Sequence, residues 1–309
     1  MGPVVDLATA VFANLSQVIR GKPEQLRLVL VALLSGGHLL VEDPPGMGKT
    51  LLAKGIACSM GASFSRIQGT PDLLPAELTG TNVFHAGTDQ WEFRPGPLFS
   101  HVVLVDEMNR ATPRTQSALL EAMEEAQVSV DGDTRPLPEP FFVVATQNPL
   151  DHLGTFPLVE GQRDRFAMVL NLGLPARDAE RELLLGVGGV RSLDALAPVT
   201  TPESFAGALA TVRQVHCEPK VADYVLDLVD ATREHPDVIR GASPRASLSF
   251  LHAAQAHAAM DGRPFVVPDD VKAVAVAVLS HRLVFTSGPD IAAGASVVHA
   301  ILGSVAPPR

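Results

Sequence analysis

His38-Leu39-Leu40-Val41-Glu42-Asp43-Pro44-Pro45-Gly46-Met47-Gly48-Lys49-Thr50-Leu51 is the stretch on which the fold of this chain turns. A short apolar run, His38–Val41, leads into a Gly-rich turn, and the turn opens the helical segment LLAKGIACSM. A strand, a tight turn and a helix start in that order aim backbone N–H groups at an anion, and the positive end of the helix dipole assists. In such a loop Lys49 reaches the β- and γ-phosphates of a nucleotide and the Thr50 hydroxyl ligates Mg²⁺. The candidate nucleotide-binding residues are therefore Asp43, Pro44, Pro45, Gly46, Met47, Gly48, Lys49, Thr50 and Leu51. The usual spacing is G-x-x-x-x-G-K-[ST], and here Asp43 stands in the first Gly position. The competing reading is a turn that only joins strand to helix, and it prevails only if no acidic partner follows on a neighbouring strand.

Such a partner follows. His101-Val102-Val103-Leu104-Val105-Asp106-Glu107 is an apolar strand that ends in two carboxylates. Parallel strands deliver their C-terminal ends to the ligand edge of a sheet, so both acids are expected beside the phosphates. Asp106 is expected to hold the Mg²⁺ shell and Glu107 to polarise the attacking water. A third apolar run, Phe141–Thr146, ends in Gln147-Asn148-Pro149. Asn148 at that edge can donate to the γ-phosphate or orient the water, and Asn-Pro is also a turn signal.

Up to about Leu174 the chain alternates short β-rich runs (His38–Val41, Phe64–Gln68, Val102–Val105, Phe141–Thr146, Met168–Asn171) with helical patterns. Apolar runs of this kind, separated by helices, indicate a parallel sheet buried on both faces. Two stretches interrupt the pattern as hairpins. Thr81–Phe93 alternates around Gly87, and Val128–Pro138 carries the Asp131-Gly132 turn signal. Beyond Leu174 the texture is helical, in Ala176–Leu185, Pro202–Val212, Glu218–His235, Ser243–Met260 and Pro268–Leu279, with Gly186–Pro198 resembling a linker. The expected division is a nucleotide-binding core over residues 1–174 and a helical lid over 175–309.

The 309 residues carry 34 acidic and 24 basic side chains, a net charge of −10, which disfavours nucleic acid as a partner. No apolar run approaches the roughly 18 to 20 residues that span a bilayer, so no membrane insertion is expected. The first twenty residues lack a basic segment ahead of their apolar stretch and do not read as a secretory signal. Two distant cysteines, Cys58 and Cys217, build neither a disulfide framework nor a thiolate metal site, which fits a reducing cytoplasm. The ten histidines show no metal-ligand spacing. Phe84, Trp91, Phe93 and Phe99 form either an exposed contact stripe or a local apolar cluster, the latter preferred for Phe93 and Phe99.

With these edges placed, the chain resembles the MoxR branch of AAA+ ATPases. The resemblance is carried by Gly36–Leu40, TPDLLPAELTGT (Thr70–Thr81), FRPGPLF (Phe93–Phe99), VDEMNRATPRTQSALLEAMEE (Val105–Glu125), LPEPFFVVATQNP (Leu137–Pro149) and GASPRA (Gly241–Ala246). It implies an α/β fold: an αβα P-loop core with a five-stranded parallel sheet, followed by an all-α helical lid domain, with ATP and Mg²⁺ between them. It further implies a homo-oligomeric ring, expected as a hexamer, with the first hairpin as an insert in helix 2 and the second ahead of the sensor strand. By the same resemblance Asn148 looks like the sensor 1 residue and Arg245 like the sensor 2 arginine. Arg245 follows Ser243-Pro244, a helix-start pair, and a cation in a first helical turn opposes the dipole unless an anion is near. Glu160-Gly161-Gln162-Arg163-Asp164-Arg165-Phe166 matches the family's finger segment. Arg165 takes the place of the arginine that reaches a neighbouring subunit's nucleotide, with Arg163 as a competitor and a pair with Asp164 or Glu160 as the alternative. Val18-Ile19-Arg20-Gly21-Lys22 matches the adenine-contacting stretch, so Val18 and Ile19 either pack on the base or form a helix end.

The implied activity is an ATP-hydrolysing, chaperone-like remodeller that acts on a client protein, commonly with a von Willebrand factor A domain partner. A metal-chelatase motor subunit is a close variant of that reading. A nucleic-acid motor or loader is the contrasting one, and a nucleotide-gated scaffold without turnover is the non-enzymatic one.

Overall fold

The computed structural model describes residues 1–148 and 154–308; Pro149 therefore lies outside the described residues. The chain opens with helices α1 (Gly2–Val18) and α2 (Pro23–Leu34), then β1 (Leu39–Glu42) and α3 (Lys49–Ser59). Next come β2 (Phe64–Gln68), α4 (Pro75–Thr79), the pair β3 (Gly80–His85) and β4 (Gln90–Pro95), and β5 (Val102–Asp106). After α5 (Pro113–Glu125) lie β6 (Gln127–Val130), β7 (Asp133–Pro136), β8 (Phe142–Gln147), α6 (Glu160–Arg163) and β9 (Met168–Leu170).

Strands β2-β5-β8-β1-β9, in that order, form one parallel five-stranded sheet. The strand residues alternate between two apolar layers. Leu39 and Val41 of β1, Val102 and Leu104 of β5, and Phe142 and Val144 of β8 face the layer of α1, α2 and α3. Leu40, Val103, Val105, Val143 and Ala145 face the opposite layer, which contains Leu119, Leu120 and Met123 of α5. Period-two side-chain direction with both layers filled explains why these runs are continuously apolar. The sheet boundaries match the expected runs to within a residue or two at each end.

Both hairpins are present. β3 and β4 pair antiparallel from Gly80–Pro95 to His85–Gln90, and β6 and β7 pair from Gln127–Pro136 to Val130–Asp133. Asp131 and Gly132 have φ of 53° and 90°, the left-handed pair that a two-residue type I′ turn requires. The hairpins also touch each other: Asn82 donates to Asp131 at 2.7 Å, and the Arg135 guanidinium lies 3.9 Å from the centre of the Phe93 ring.

The second half consists of α7 (Arg177–Leu184), α8 (Val190–Asp194), α9 (Pro202–Val212), α10 (Pro219–Glu234), α11 (Pro244–Met260), α12 (Pro268–Leu279) and α13 (Ile291–Ser304). Thr201, Ser243 and Asp290 cap their helices with side-chain oxygens, the first two ahead of a proline at the first helical position. The expected linker contains α8, and this half is helical except for a small ribbon, β10 (Val284–Phe285) against β11 (Gly288–Pro289). α13 was not anticipated. Gly294 weakens its helical signal, yet a Cβ there would lie 2.2 Å from the Ser280 carbonyl oxygen, so close backbone packing requires that glycine. No described helix is long and apolar enough to cross a membrane.

Candidate functional site

The turn between β1 and α3 is built on glycine. Gly46 and Gly48 have φ of +87° and +88°, and a Cβ at Gly46 would meet nothing within 4 Å, so this wall of the site is bare backbone. Gly48 caps α3, which places Lys49 and Thr50 in the first helical turn, where N–H groups lack intrahelical acceptors. A cavity of about 420 Å³ opens in front of them. Pro45, Gly46, Gly48, Lys49, Thr50 and Leu51 line one side, and Asp106, Glu107 and Asn148 line the other. The C-terminal ends of β5 and β8 thus bring the carboxylates and the amide to the loop, as strand-end reasoning expects.

Lys49 is buried, and its Nζ donates to the Asp43 carbonyl oxygen at 2.6 Å. Burial pushes its ammonium below the usual lysine range, while Asp106, Asp43 and Glu107 act in the opposite direction. An anion beside Lys49 would be favoured for the same reason.

Asp43 itself does not face the cavity. Its side chain is 2 % exposed, and its carboxylate accepts from the Leu172 N–H at 2.6 Å and the Gly173 N–H at 3.0 Å. The residue that departs from the glycine pattern ties the loop to the segment after β9, with its carboxylate turned away from the cavity. Pro44 and Met47 likewise are not among the cavity-lining residues.

The two acids are held by groups the sequence did not single out. Asp106 accepts from Arg66 at 2.7 Å and from the Thr146 hydroxyl at 2.7 Å. Glu107 Oε2 accepts from Gln68 at 3.0 Å and from Arg110 at 3.0 Å, and the Glu107 N–H donates to Thr146 Oγ1 at 2.9 Å. Glu107 has φ of 53°, a conformation that bulky L residues adopt at a cost and that functional sites concentrate. Gly69 permits the close approach of β2, since a Cβ there would lie 2.2 Å from the Glu107 carbonyl oxygen. Arg66 and Gln68 share one face of β2 by their spacing. Only the strand order, which makes β2 the neighbour of β5, reveals that this face meets Asp106 and Glu107.

Val18 and Ile19 are buried at the end of α1, with Ile19 as its extended C-cap. A Cβ at Gly48 would lie 3.6 Å from Ile19 Cδ1, so the helix end stands against the phosphate loop. In the structure the stretch is a helix end, with Val18 packed into the core.

The arginines separate. Arg163 is buried and pairs with Glu42 at 3.3 Å, where desolvation lowers its basicity and raises the Glu42 carboxyl. Its side chain is 8 % exposed and committed to Glu42. Arg165 is partly exposed and pairs with Glu124 at 2.8 Å, not with Asp164 or Glu160. Arg245 does not reach the phosphate loop of its own chain. It too pairs with Glu124, and neither arginine lines the cavity. Elsewhere His257, Asp261 and Asp270 converge, but Arg27 and Arg263 neutralise them. Phe84 and Trp91 meet at a tilt of 51° on the exposed part of the first hairpin, while Phe93 and Phe99 meet edge-on closer to the core.

The sheet order, the glycine loop and the strand-end acids together define an AAA+ P-loop protein. Residues 38–168 match the model of the ATPase family associated with various cellular activities, and residues 230–301 match the AAA lid domain. Chaperone MoxR1 of Mycobacterium tuberculosis (strain ATCC 25618 / H37Rv) is 39% identical over 98% of this chain and 82% of its own. The uncharacterised protein YeaC of Bacillus subtilis (strain 168) is 45% identical over 87% of this chain and 84% of its own. A crystal structure of a candidate ATPase from Cytophaga hutchinsonii ATCC 33406 superposes with a TM-score of 0.88 at 32% identity. It covers 100% of this chain and 98% of the other. The chain belongs to the MoxR family of AAA+ ATPases.

Proposed function

We propose that this protein hydrolyses ATP with Mg²⁺ in a homo-oligomeric ring, a hexamer, and uses the cycle to remodel a client protein in the cytoplasm. The observation that carries the reading is that Lys49, Thr50, Asp106, Glu107 and Asn148, drawn from three separate strand ends, line one cavity. That set contains a phosphate-binding cation, two oxygen ligands for a hard metal, a base and an amide donor. A scaffold that only binds nucleotide needs no base.

In the proposed cycle the backbone of Pro45–Gly48 and the Lys49 ammonium hold the phosphates, and Val18 and Ile19 pack on the base. Magnesium supplies charge neutralisation at the phosphate oxygens, held by Thr50 and Asp106, both of which have the oxygen donors it prefers. Asp106 keeps acceptor capacity for this beside its bonds to Arg66 and Thr146. Glu107 accepts a proton from the attacking water, and Asn148 orients that water or donates to the γ-phosphate. Arg165 reaches the phosphoryl group of the adjacent subunit, because Arg163 is committed to Glu42. Residues 1–174 act as the core and 175–309 as the lid whose motion accompanies each turnover. The linked hairpins are the surface for a von Willebrand factor A partner or another client. A phosphate track is poorly supported there, since Arg135 is engaged by Phe93 and Asp133.

Glu107→Gln separates binding from turnover. Nucleotide affinity, measured by calorimetry, is expected within a few-fold of wild type, and hydrolysis to fall roughly a hundredfold or more. Lys49→Ala is expected to lose binding itself. The Glu107→Gln protein held with ATP and Mg²⁺ is then used for capture from native cells. Recovery of a von Willebrand factor A protein or of one enzyme with its neighbours supports remodelling, and recovery of nucleic acid overturns it.

A further inference from the structure

The segment Glu160–Phe166 is tied off at each charged side chain. Glu160 pairs with Arg240 at 2.7 Å, Arg163 with Glu42 at 3.3 Å, and Asp164 with Arg282 at 2.6 Å and with the Ser243 hydroxyl at 2.7 Å. Arg240, Ser243 and Arg282 all belong to the helical half. The remaining cation, Arg165, is held at two of its nitrogens: Nε donates to Glu124 Oε2 at 2.8 Å and Nη1 to the Gly161 carbonyl at 3.0 Å.

Glu124 stands in the last turn of α5, and its other oxygen, Oε1, accepts from Arg245 Nη2. One carboxylate therefore joins the arginine that ends the core's finger segment to the arginine in the first turn of α11. The hydrogen bond from Arg165 is the largest influence holding this carboxyl below its usual range, and the charge of Arg245 adds to it. Two guanidinium groups on one carboxylate leave a net positive charge on a half-exposed surface. Each arginine has five N–H donors, and these contacts use only some of them. A guanidinium held at Nε and Nη1, as Arg165 is, keeps its plane while further donors stay available for recognition of phosphate oxygens.

We propose that Glu124 is a positioning residue for hydrolysis: it aims Arg165 and Arg245 together at the phosphoryl group of the adjacent subunit and makes the finger follow the lid. The inference rests on the reading that Arg165 acts in trans. Arg245 is then the second cation for the neighbour's nucleotide, and lid motion in one subunit changes the hydrolysis rate in the next.

The test measures kcat, the KM for Mg·ATP and ring assembly by analytical ultracentrifugation for Glu124→Ala and Glu124→Gln. Glu124→Ala is expected to lower kcat roughly ten- to hundredfold, as small misplacements of catalytic groups do. KM is expected within about twofold and assembly unchanged, because ATP is bound by the other subunit's loop. Glu124→Gln is expected to fall between, since its amide oxygen can hold one arginine but not both. Mixing Arg165→Ala with Lys49→Ala subunits checks the underlying reading, because each supplies what the other lacks and activity should return. If Arg165→Ala loses activity and mixing restores it while Glu124→Ala keeps or exceeds wild-type kcat, the positioning role is overturned and the finger stands. If Arg165→Ala retains activity, the finger reading itself falls. A loss of ring assembly in both Glu124 variants would make the residue an interface element and also overturn the proposal.

Discussion

Asp43 shows how a single side chain can depart from a motif and keep its geometry. A glycine at the first position leaves nothing to hold, whereas the buried Asp43 carboxylate accepts two backbone N–H groups beyond β9. Replacing it by Gly or Asn removes charge-assisted bonds and leaves buried amides short of partners, at a cost of about 3 kcal/mol. The expected outcome for Asp43→Gly is a lower midpoint in urea with no gain in nucleotide affinity, read by denaturation and calorimetry on the same protein. His38 makes a second prediction at this scale. Its Nε2 bonds the Met123 carbonyl at 2.9 Å, and its Nδ1 accepts from the Val143 N–H at 3.1 Å, so the buried ring is neutral. Burial lowers its pKa to about 4. A group depressed in the fold contributes stability that is present above its unfolded value of about 6.5 and is lost as pH falls toward 4. Desolvation moves His281 in the same direction. For His38 alone the change amounts to about 3 kcal/mol, so stability should decline from pH 7 to pH 5. In His38→Gln that decline should be shallower.

At the scale of elements, the two hairpins behave as one unit. Each alone is a two-stranded ribbon, which is marginal in water. Asn82–Asp131 and Arg135 over Phe93 join them, and β6 continues directly from α5. The expectation for the double substitution Asn82→Ala and Arg135→Ala is faster amide exchange across Gln127–Pro136. Global stability should shift by no more than about 1 kcal/mol, because the Asn82–Asp131 bond is exposed and Arg135 is only partly buried. Unchanged exchange in that stretch would show that the ribbons are held independently. Trp91, 70 % exposed and tilted against Phe84, contributes to the surface of this unit and not to the core.

Across the whole molecule, the two halves are joined by buried polarity as well as by a shared apolar layer. Arg282, only 3 % exposed, pairs with Asp164 at 2.6 Å and donates to the Phe166 carbonyl at 2.8 Å and the Ala167 carbonyl at 3.2 Å. Arg282→Met leaves the Asp164 charge with only the Ser243 hydroxyl and the carbonyls without the guanidinium, and breaking such a pair costs about 3 to 5 kcal/mol. Chemical denaturation of Arg282→Met should show that loss. The double variant with Asp164→Asn should recover part of it, because the unpaired charge is gone.

Much of this was legible in the residues. Continuous apolar runs separated by helical stretches announced the parallel sheet, and Asp131-Gly132 announced its hairpin, because both signals are local. The pairing of the phosphate loop with Asp106-Glu107 was also readable, since parallel strands must end at a common edge. What lay beyond local signals depended on strand order and on the packing of the helical half. Nothing in the sequence shows that β2 borders β5 and lends Arg66 and Gln68 to the acids. Nor does it show that Asp43 turns toward Leu172, or that Arg163 is buried on Glu42. Glu124 reads as one more charge on an amphipathic helix until folding brings two arginines to it. Turn and strand conformation follow from near neighbours in the chain, whereas the partners of Asp106, Glu124 and Arg163 lie tens to more than a hundred positions away, and only the tertiary structure selects them.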